Sequence, residues 1–256
     1  MTTAESATSA SNLGAEPKLT GQTVVLIGGS SGIGLETARS ARAEGAEVVL
    51  VGRDPDRLAT AAAEVGATSS TAFDAADPDR LERFFGDLSG PVDHVLVTAG
   101  GAYYAPLAEL DFARARANVD EHLWMPLHLA RAAIGRVRPT GTLLFVGGTG
   151  ARRPSPGLTL AAAMTAALPA LTANLALELA PIRVNLIAAG FVDTPLSARL
   201  LGDDLEARRK QLRDSLPIGR VVGPEDVAAL AVHLMTNTAL TGATYDIDGG
   251  QQFVRA

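Results

Sequence analysis

The chain has 256 residues, 47% of them hydrophobic, which is enough for a full-sized core in one large domain or two small ones. Its net charge of −6, with no long basic run, argues against nucleic acid or an anionic membrane as the main partner. Cysteine is absent, which excludes disulfides, thiol nucleophiles and Cys-ligated zinc or iron–sulfur clusters.

Residues 1–18 are rich in Ala, Ser and Thr, with no basic start and no continuous apolar stretch. They read as a disordered tail ahead of a domain over 19–256, not as a secretory signal, and the expected location is cytoplasmic. Thr23 to Ile27 is strand-like, and Gly28 to Gly34 is a glycine-rich turn. Ile33 to Glu44 has helical spacing and stops at Gly45. Glu47 to Val51 is a second strand, after which Asp54-Pro55 opens a helix as N-cap and first-turn proline. A third strand ends at Ala72-Phe73. Further strands are expected at His94–Val97, Thr142–Val146, Arg183–Ile187 and Thr244–Ile247, with helical patterns between them. Leu158 to Leu177 carries no charge and has the length of a membrane span, but it is mostly Ala and Thr and contains Pro169. It reads as a helix buried in the protein or at a subunit interface. No repeat and no linker divides the chain. The expected architecture is α/β: a single doubly wound Rossmann-type domain with a parallel seven-stranded sheet.

The turn from Gly28 to Gly34 joins a strand to a helix, where glycines admit a diphosphate close to the backbone and the helix N-terminus favours its charge. It does not suit a nucleoside-triphosphate loop, because Leu35-Glu36 stand where Lys and Ser/Thr are needed. At the end of the second strand, where a carboxylate usually binds the ribose of NAD, stands Arg53. A guanidinium suits a 2′-phosphate, so NADP(H) is favoured over NAD(H). The other reading of Arg53 is a solvated loop residue.

With these elements on the page, the chain resembles the short-chain dehydrogenase/reductase family from about Leu19 to Phe253. Gly28, Ser30, Ser31, Gly32, Ile33 and Gly34 look like its cofactor loop, and Asp74-Ala75 like its adenine contact. Val97-Thr98-Ala99-Gly100 is similar to the family's Asn-Asn-Ala-Gly element with both asparagines changed. Asn118 matches the Asn of the fourth helix. Arg183 to Gly190, with Val192 and Thr194 after it, matches the stretch that clasps the nicotinamide end, and Asp248-Gly249-Gly250 matches the C-terminal signature. The resemblance implies a small-molecule carbonyl or hydroxyl substrate and a homodimer or homotetramer packed through the fourth and fifth helices.

The family's chemistry uses a Ser followed by Tyr-x-x-x-Lys. Here those positions fall on Gly148, Ala161 and Thr165. The tyrosines are Tyr103, Tyr104 and Tyr245 and the lysines Lys18 and Lys210, so no Tyr-x-x-x-Lys occurs anywhere. Losing a positioned general acid removes about 10²- to 10⁴-fold in rate. Pro169 also crowds the carbonyl of Thr165, which would kink that helix. Candidate replacements are Tyr103 and Tyr104, as phenol donors or as pocket wall, and Thr149, as substrate hydroxyl contact or turn residue. Asn118 reads as relay or helix feature, and His122, one turn on, as relay or packed residue. Arg152-Arg153 read as holding an anionic substrate or the cofactor phosphate, or as solvated or paired at a subunit contact. Asp120 and Glu121 are expected to face solvent. The histidines at 94, 122, 128 and 233 lack paired spacing, so no metal site is expected. Three functions stay open: an NADP(H) oxidoreductase with a non-standard proton donor, which leads; a catalytically silent nucleotide-binding or hetero-oligomer subunit; and a non-redox cyclase, dehydratase or isomerase.

Overall fold

A computed structural model describes residues 18–254, so the tail expected over 1–18 lies outside the described residues apart from Lys18. Seven parallel strands form one sheet in the order β3-β2-β1-β4-β5-β6-β7. They are β1 (Thr23–Ile27), β2 (Glu47–Gly52), β3 (Ser69–Ala72), β4 (Val92–Val97), β5 (Val137–Gly148), β6 (Arg183–Ala189) and β7 (Thr244–Ile247). The sequence placed all seven. The fifth is longer than its apolar run, reaching Gly148, and the third ends one residue early, although the Phe73 amide still donates to Gly52 O.

The central strands are near-continuous Val, Leu and Ile runs because both of their faces are covered. Their side chains alternate. Val25, Ile27, Val49, Val51, Val95 and Val97 enter one core with Phe84, Phe85 and Leu129, while Val24, Leu26, Val48, Leu50 and Leu96 enter the other with Ala38, Ala41 and Leu234.

The helices are α1 (Gly32–Ala43), α2 (Pro55–Val65), α3 (Pro78–Asp87), α4 (Phe112–Val119), α5 (Met125–Ala133), α6 (Thr159–Glu178), α7 (Pro195–Leu201), α8 (Leu205–Ser215) and α9 (Pro224–Thr236). On one face α1 packs against α9, and on the other α3 packs against α5. Asp54 caps α2 by accepting the Arg57 amide at 3.0 Å, so it is committed to the helix as its Asp-Pro pattern suggests. Between α4 and α5 the chain forms one π turn, Asp120–Trp124.

The helix expected at Leu158–Leu177 forms as α6 and runs uninterrupted through Pro169, but it is not buried in this protomer. Leu168, Thr172, Leu175 and Ala176 are buried, whereas Ala163, Ala166, Ala170, Ala173 and Leu177 form an exposed stripe at helical spacing. It is also the one helix among the described residues long and apolar enough to cross a membrane by length and composition.

Candidate functional site: a dinucleotide cleft and the sheet edge beside it

The strand order reverses between β1 and β4, and there the carboxyl edge of the sheet opens into a cleft. The glycine turn forms its floor. Gly28 and Gly29 amides donate to Val51 O, and Thr98 and Ala99 amides to Ile27 O, which stitches the turn between β2 and β4. Gly28 has φ +99°, and a Cβ there would lie 2.4 Å from Thr98 Oγ1. A Cβ on Gly34 would lie 2.3 Å from Gly28 O, so only glycine lets α1 sit this close to the turn.

Ser31 stands at the N-cap of α1 without making a capping bond, so its hydroxyl is left for a ligand beside the first helix amides. Ser30 is buried under Gly52, and Ile33 lines the cleft. Asp74, Ala75, Thr98, Ala99 and Gly100 line it as well, as does Thr194, whose side chain closes over Gly32. A bare glycine cradle, an uncommitted N-cap hydroxyl and a helix N-terminus together fit a dinucleotide diphosphate. Gly190 and Val192 do not line this cleft. They shape the neighbouring edge: Gly190 is packed against Asp248 and Gln251, and Val192 is buried and paired with Val222.

Arg53 lines the cleft together with Arg57 and Arg199, which the sequence reading did not single out. Glu121 also lines it. This corrects the expectation that Glu121 faces solvent: one carboxylate oxygen accepts the Gly101 amide at 2.9 Å and the other lies 3.7 Å from Arg53 Nη1. The reason is local: Asn118 and Glu121, three residues apart, share the face that meets Gly101.

Asn118 is 7% exposed, and its Nδ2 donates to Gly101 O at 2.7 Å, while its carbonyl is bonded to His122 Nδ1 at 2.9 Å. His122 packs against Gly100. Both groups are therefore engaged in holding the Gly100-Gly101 loop. The Tyr103 hydroxyl oxygen accepts the Asp111 amide at 2.9 Å, and its ring lies under Arg114 at 4.5 Å. Tyr104 keeps 54% of its surface exposed, and local desolvation raises its phenol above the ordinary value. Neither phenol lines the nucleotide cleft, but the next residue, Ala105, donates its amide to Gly157 O. The phenol loop is thereby laced to the loop after β5.

At the end of β5, Gly148 faces Thr165, whose Cγ2 would lie 3.3 Å from a Cβ on that glycine. The Thr165 hydroxyl accepts the Ala151 amide at 2.9 Å and reaches Ala161 O at 2.9 Å, so its one hydrogen is used within the helix. Thr149 donates its amide to Ala189 O, and its hydroxyl has no partner among the described residues. Arg152 pairs with Asp246 and reaches Gln252, and Arg153 donates to Gln251 O at 3.0 Å. Both arginines are thus engaged inside the chain, by residues near its C-terminal end, which neither the anion-binding nor the subunit-contact reading foresaw. Arg208, on α8, lies over the Phe191 ring, and burial together with the charge of Arg153 lowers its pKa. Asp193 holds α8 through a two-pronged pair with Arg209, at 2.8 and 2.7 Å. Among the described residues no cluster of three or more His, Asp or Glu side chains is arranged to hold a metal.

A family model described as enoyl-(acyl carrier protein) reductase matches residues 27–252. A short-chain dehydrogenase/reductase of Stachybotrys chlorohalonatus is 31% identical, covering 91% of this chain and 98% of its own. The structure of the MalC reductase/Diels-Alderase from Malbranchea aurantiaca superposes with a TM-score of 0.86 at 25% identity, over 93% of this chain and 99% of that one. A small-chain dehydrogenase solved in complex with NADPH superposes with a TM-score of 0.79 at 28% identity, over 91% of this chain and 99% of that one.

Proposed function

The chain belongs to the short-chain dehydrogenase/reductase family, and on that premise we propose that it is an NADP(H)-dependent oxidoreductase whose proton donor is not the usual tyrosine. Its substrate is a small molecule with a carbonyl or hydroxyl group. The observation that carries the reading is the glycine cradle at Gly28 and Gly34, built beside the free Ser31 hydroxyl and the N-terminus of α1. Three arginines, Arg53, Arg57 and Arg199, line the same cleft and favour a phosphorylated ribose.

When bound, the nicotinamide supplies or accepts a hydride. The protein's own residues hold the two ends of the nucleotide. Gly28, Ser30, Ser31, Gly32, Ile33 and Gly34 take the diphosphate, Asp74 and Ala75 the adenine, and Arg53 the 2′-phosphate. Thr98, Ala99, Gly100 and Thr194 line the path toward the reacting end. Asn118 is a positioning residue that fixes the Gly100-Gly101 loop through Gly101 O. Thr149 supplies a hydroxyl to the substrate oxygen, and Tyr103 or Tyr104 gives the proton.

A second reading is favoured by Thr165, whose hydroxyl beside Gly148 is already engaged by Ala151 N and Ala161 O. On it, the protein is a silent nucleotide-binding subunit or a non-redox enzyme on this scaffold. The relative described as a reductase/Diels-Alderase makes such a second chemistry reasonable to test. On the leading reading the protein works in the cytoplasm as a homodimer or homotetramer, with the exposed alanine stripe of α6 meeting a second copy.

The test is NADPH oxidation over a panel of aldehydes and ketones, repeated with Tyr103→Phe and Tyr104→Phe. The oxidoreductase reading expects turnover that falls about 10²-fold or more in one phenylalanine variant. Turnover indifferent to both variants removes the phenols, and turnover without nucleotide favours the non-redox reading.

A further inference from the structure

The guanidinium assigned to a 2′-phosphate already has a carboxylate within reach. Arg53 Nη1 lies 3.7 Å from Glu121 Oε1, and the two residues line the same cleft. They are not equally free. The Arg53 side chain is 62% exposed, whereas that of Glu121 is 22% exposed and anchored at its second oxygen by the Gly101 amide at 2.9 Å. The carboxylate is therefore the fixed partner and the arginine the movable one.

The anchor belongs to the fold. Asn118 holds Gly101 O and Glu121 holds Gly101 N, so one helix face clamps both sides of the same loop residue. The π turn at Asp120–Trp124 presents Glu121 and, four residues on, Met125 to the cleft. A carboxylate held there would be an unfavourable neighbour for a phosphate monoester and a ready acceptor for a ribose hydroxyl.

We propose that Glu121 is a specificity-determining residue for the nucleotide, tempering through its pairing with Arg53 the preference for a 2′-phosphorylated ribose. This rests on the nucleotide-binding reading above. A 2′-phosphate must draw Arg53 off Glu121 and then sit near a negative charge, whereas an unphosphorylated ribose pays neither cost. Because the pair is partly solvated, the effect is several-fold, not absolute.

The experiment titrates the wild-type chain and the Glu121→Gln variant with NADPH and with NADH, following nicotinamide fluorescence. Glutamine keeps an oxygen for the Gly101 amide and puts an uncharged NH2 where the second oxygen faces Arg53. The expected result is an NADPH dissociation constant lowered about fivefold, with that of NADH changed less than about twofold, as for one partly screened charge. In an Arg53→Gln background the gain should vanish, since the two side chains act through each other. An equal change for both nucleotides, or the same gain without Arg53, overturns the proposal while leaving nucleotide binding intact. Binding of neither nucleotide by wild type or variant at millimolar concentration overturns the nucleotide reading and this proposal with it. Binding of NADPH but not NADH by Glu121→Gln alone supports the proposal, and equal gain of both overturns it.

Discussion

Gly148, the last residue of β5, stands directly against Thr165 of α6: a Cβ on the glycine would meet the threonine methyl at 3.3 Å. Counting along the sequence put the family's Ser and Lys at these two positions, and the fold brings them together. Neither brings a proton donor to the sheet edge. Gly148 has no side chain, and the Thr165 hydroxyl is shared between Ala151 N and the Ala161 carbonyl.

This juxtaposition allows the family's usual residues to be installed there as a test of the proposed assignment. Gly148→Ser, Ala161→Tyr and Thr165→Lys together should raise NADPH-dependent reduction of an activated ketone by about 10²-fold or more. Loss of the Thr165 bond to Ala151 N costs roughly 1 kcal/mol of stability. An unchanged rate in a folded triple variant would mean that the nicotinamide end is not held as the cofactor cleft requires.

The glycine cradle gives a sharper local test. Gly34→Ala drives a methyl into Gly28 O, at 2.3 Å, and neither partner is a flexible side chain. We expect a loss of about 1–3 kcal/mol in denaturant unfolding, with nucleotide affinity lost alongside it. A stable variant that still binds nucleotide would show that α1 can retreat from the turn.

His94 sets an acid limit on stability. It is 2% exposed, its Nε2 is bonded to Gln22 Oε1 at 2.7 Å, and burial, with the nearby charge of Arg183, lowers its pKa from 6.5 to about 4. The unfolded chain therefore binds a proton that the folded one refuses between these two values. The resulting stability is fully present above pH 6.5 and is lost as pH falls toward 4, by about 3 kcal/mol in total. Unfolding midpoints across that range should show the slope, and His94→Gln should flatten it.

The outward face of α6 is the expected subunit contact. Ala166→Glu places a charge in the middle of the exposed alanine stripe and should convert a dimer or tetramer to a smaller species by light scattering, with the fold intact. An unchanged mass would move the interface elsewhere.

Much of the fold was legible because both-face burial writes strands as unbroken apolar runs. Val24–Ile27, Val48–Val51 and Val95–Val97 need no partner to be recognised. Asp54-Pro55 likewise announces its helix. The start of β5 was missed because Arg138, Pro139 and Thr140 are exposed and break the apolar signal. The glycine turn and Arg53 could be read from spacing, since both follow strands that the pattern marks.

Glu121 could not. A lone charged residue on a half-exposed helix reads as solvent-facing, and its partner, the Gly101 amide, carries no side-chain signal. The position of Glu121 three residues after Asn118 was the available hint, for residues so spaced share a helix face. For α6 the two readings stayed open because an uncharged pattern does not say whether its cover lies in the same chain or in a second copy; the exposed stripe removes only the first for that face. Arg152 and Arg153 kept two readings open because their partners, Asp246 and Gln251, lie about a hundred residues away in sequence.

If the cleft takes a phosphorylated dinucleotide, it must discriminate between the two nicotinamide nucleotides. Titration of the purified wild-type chain with NADPH and NADH, read by nicotinamide fluorescence, tests this most directly. NADPH should bind at micromolar concentration, more tightly than NADH, with the preference lost in Arg53→Gln. Failure to bind either nucleotide at millimolar concentration would contradict that assignment and leave the glycine cradle as an inherited turn.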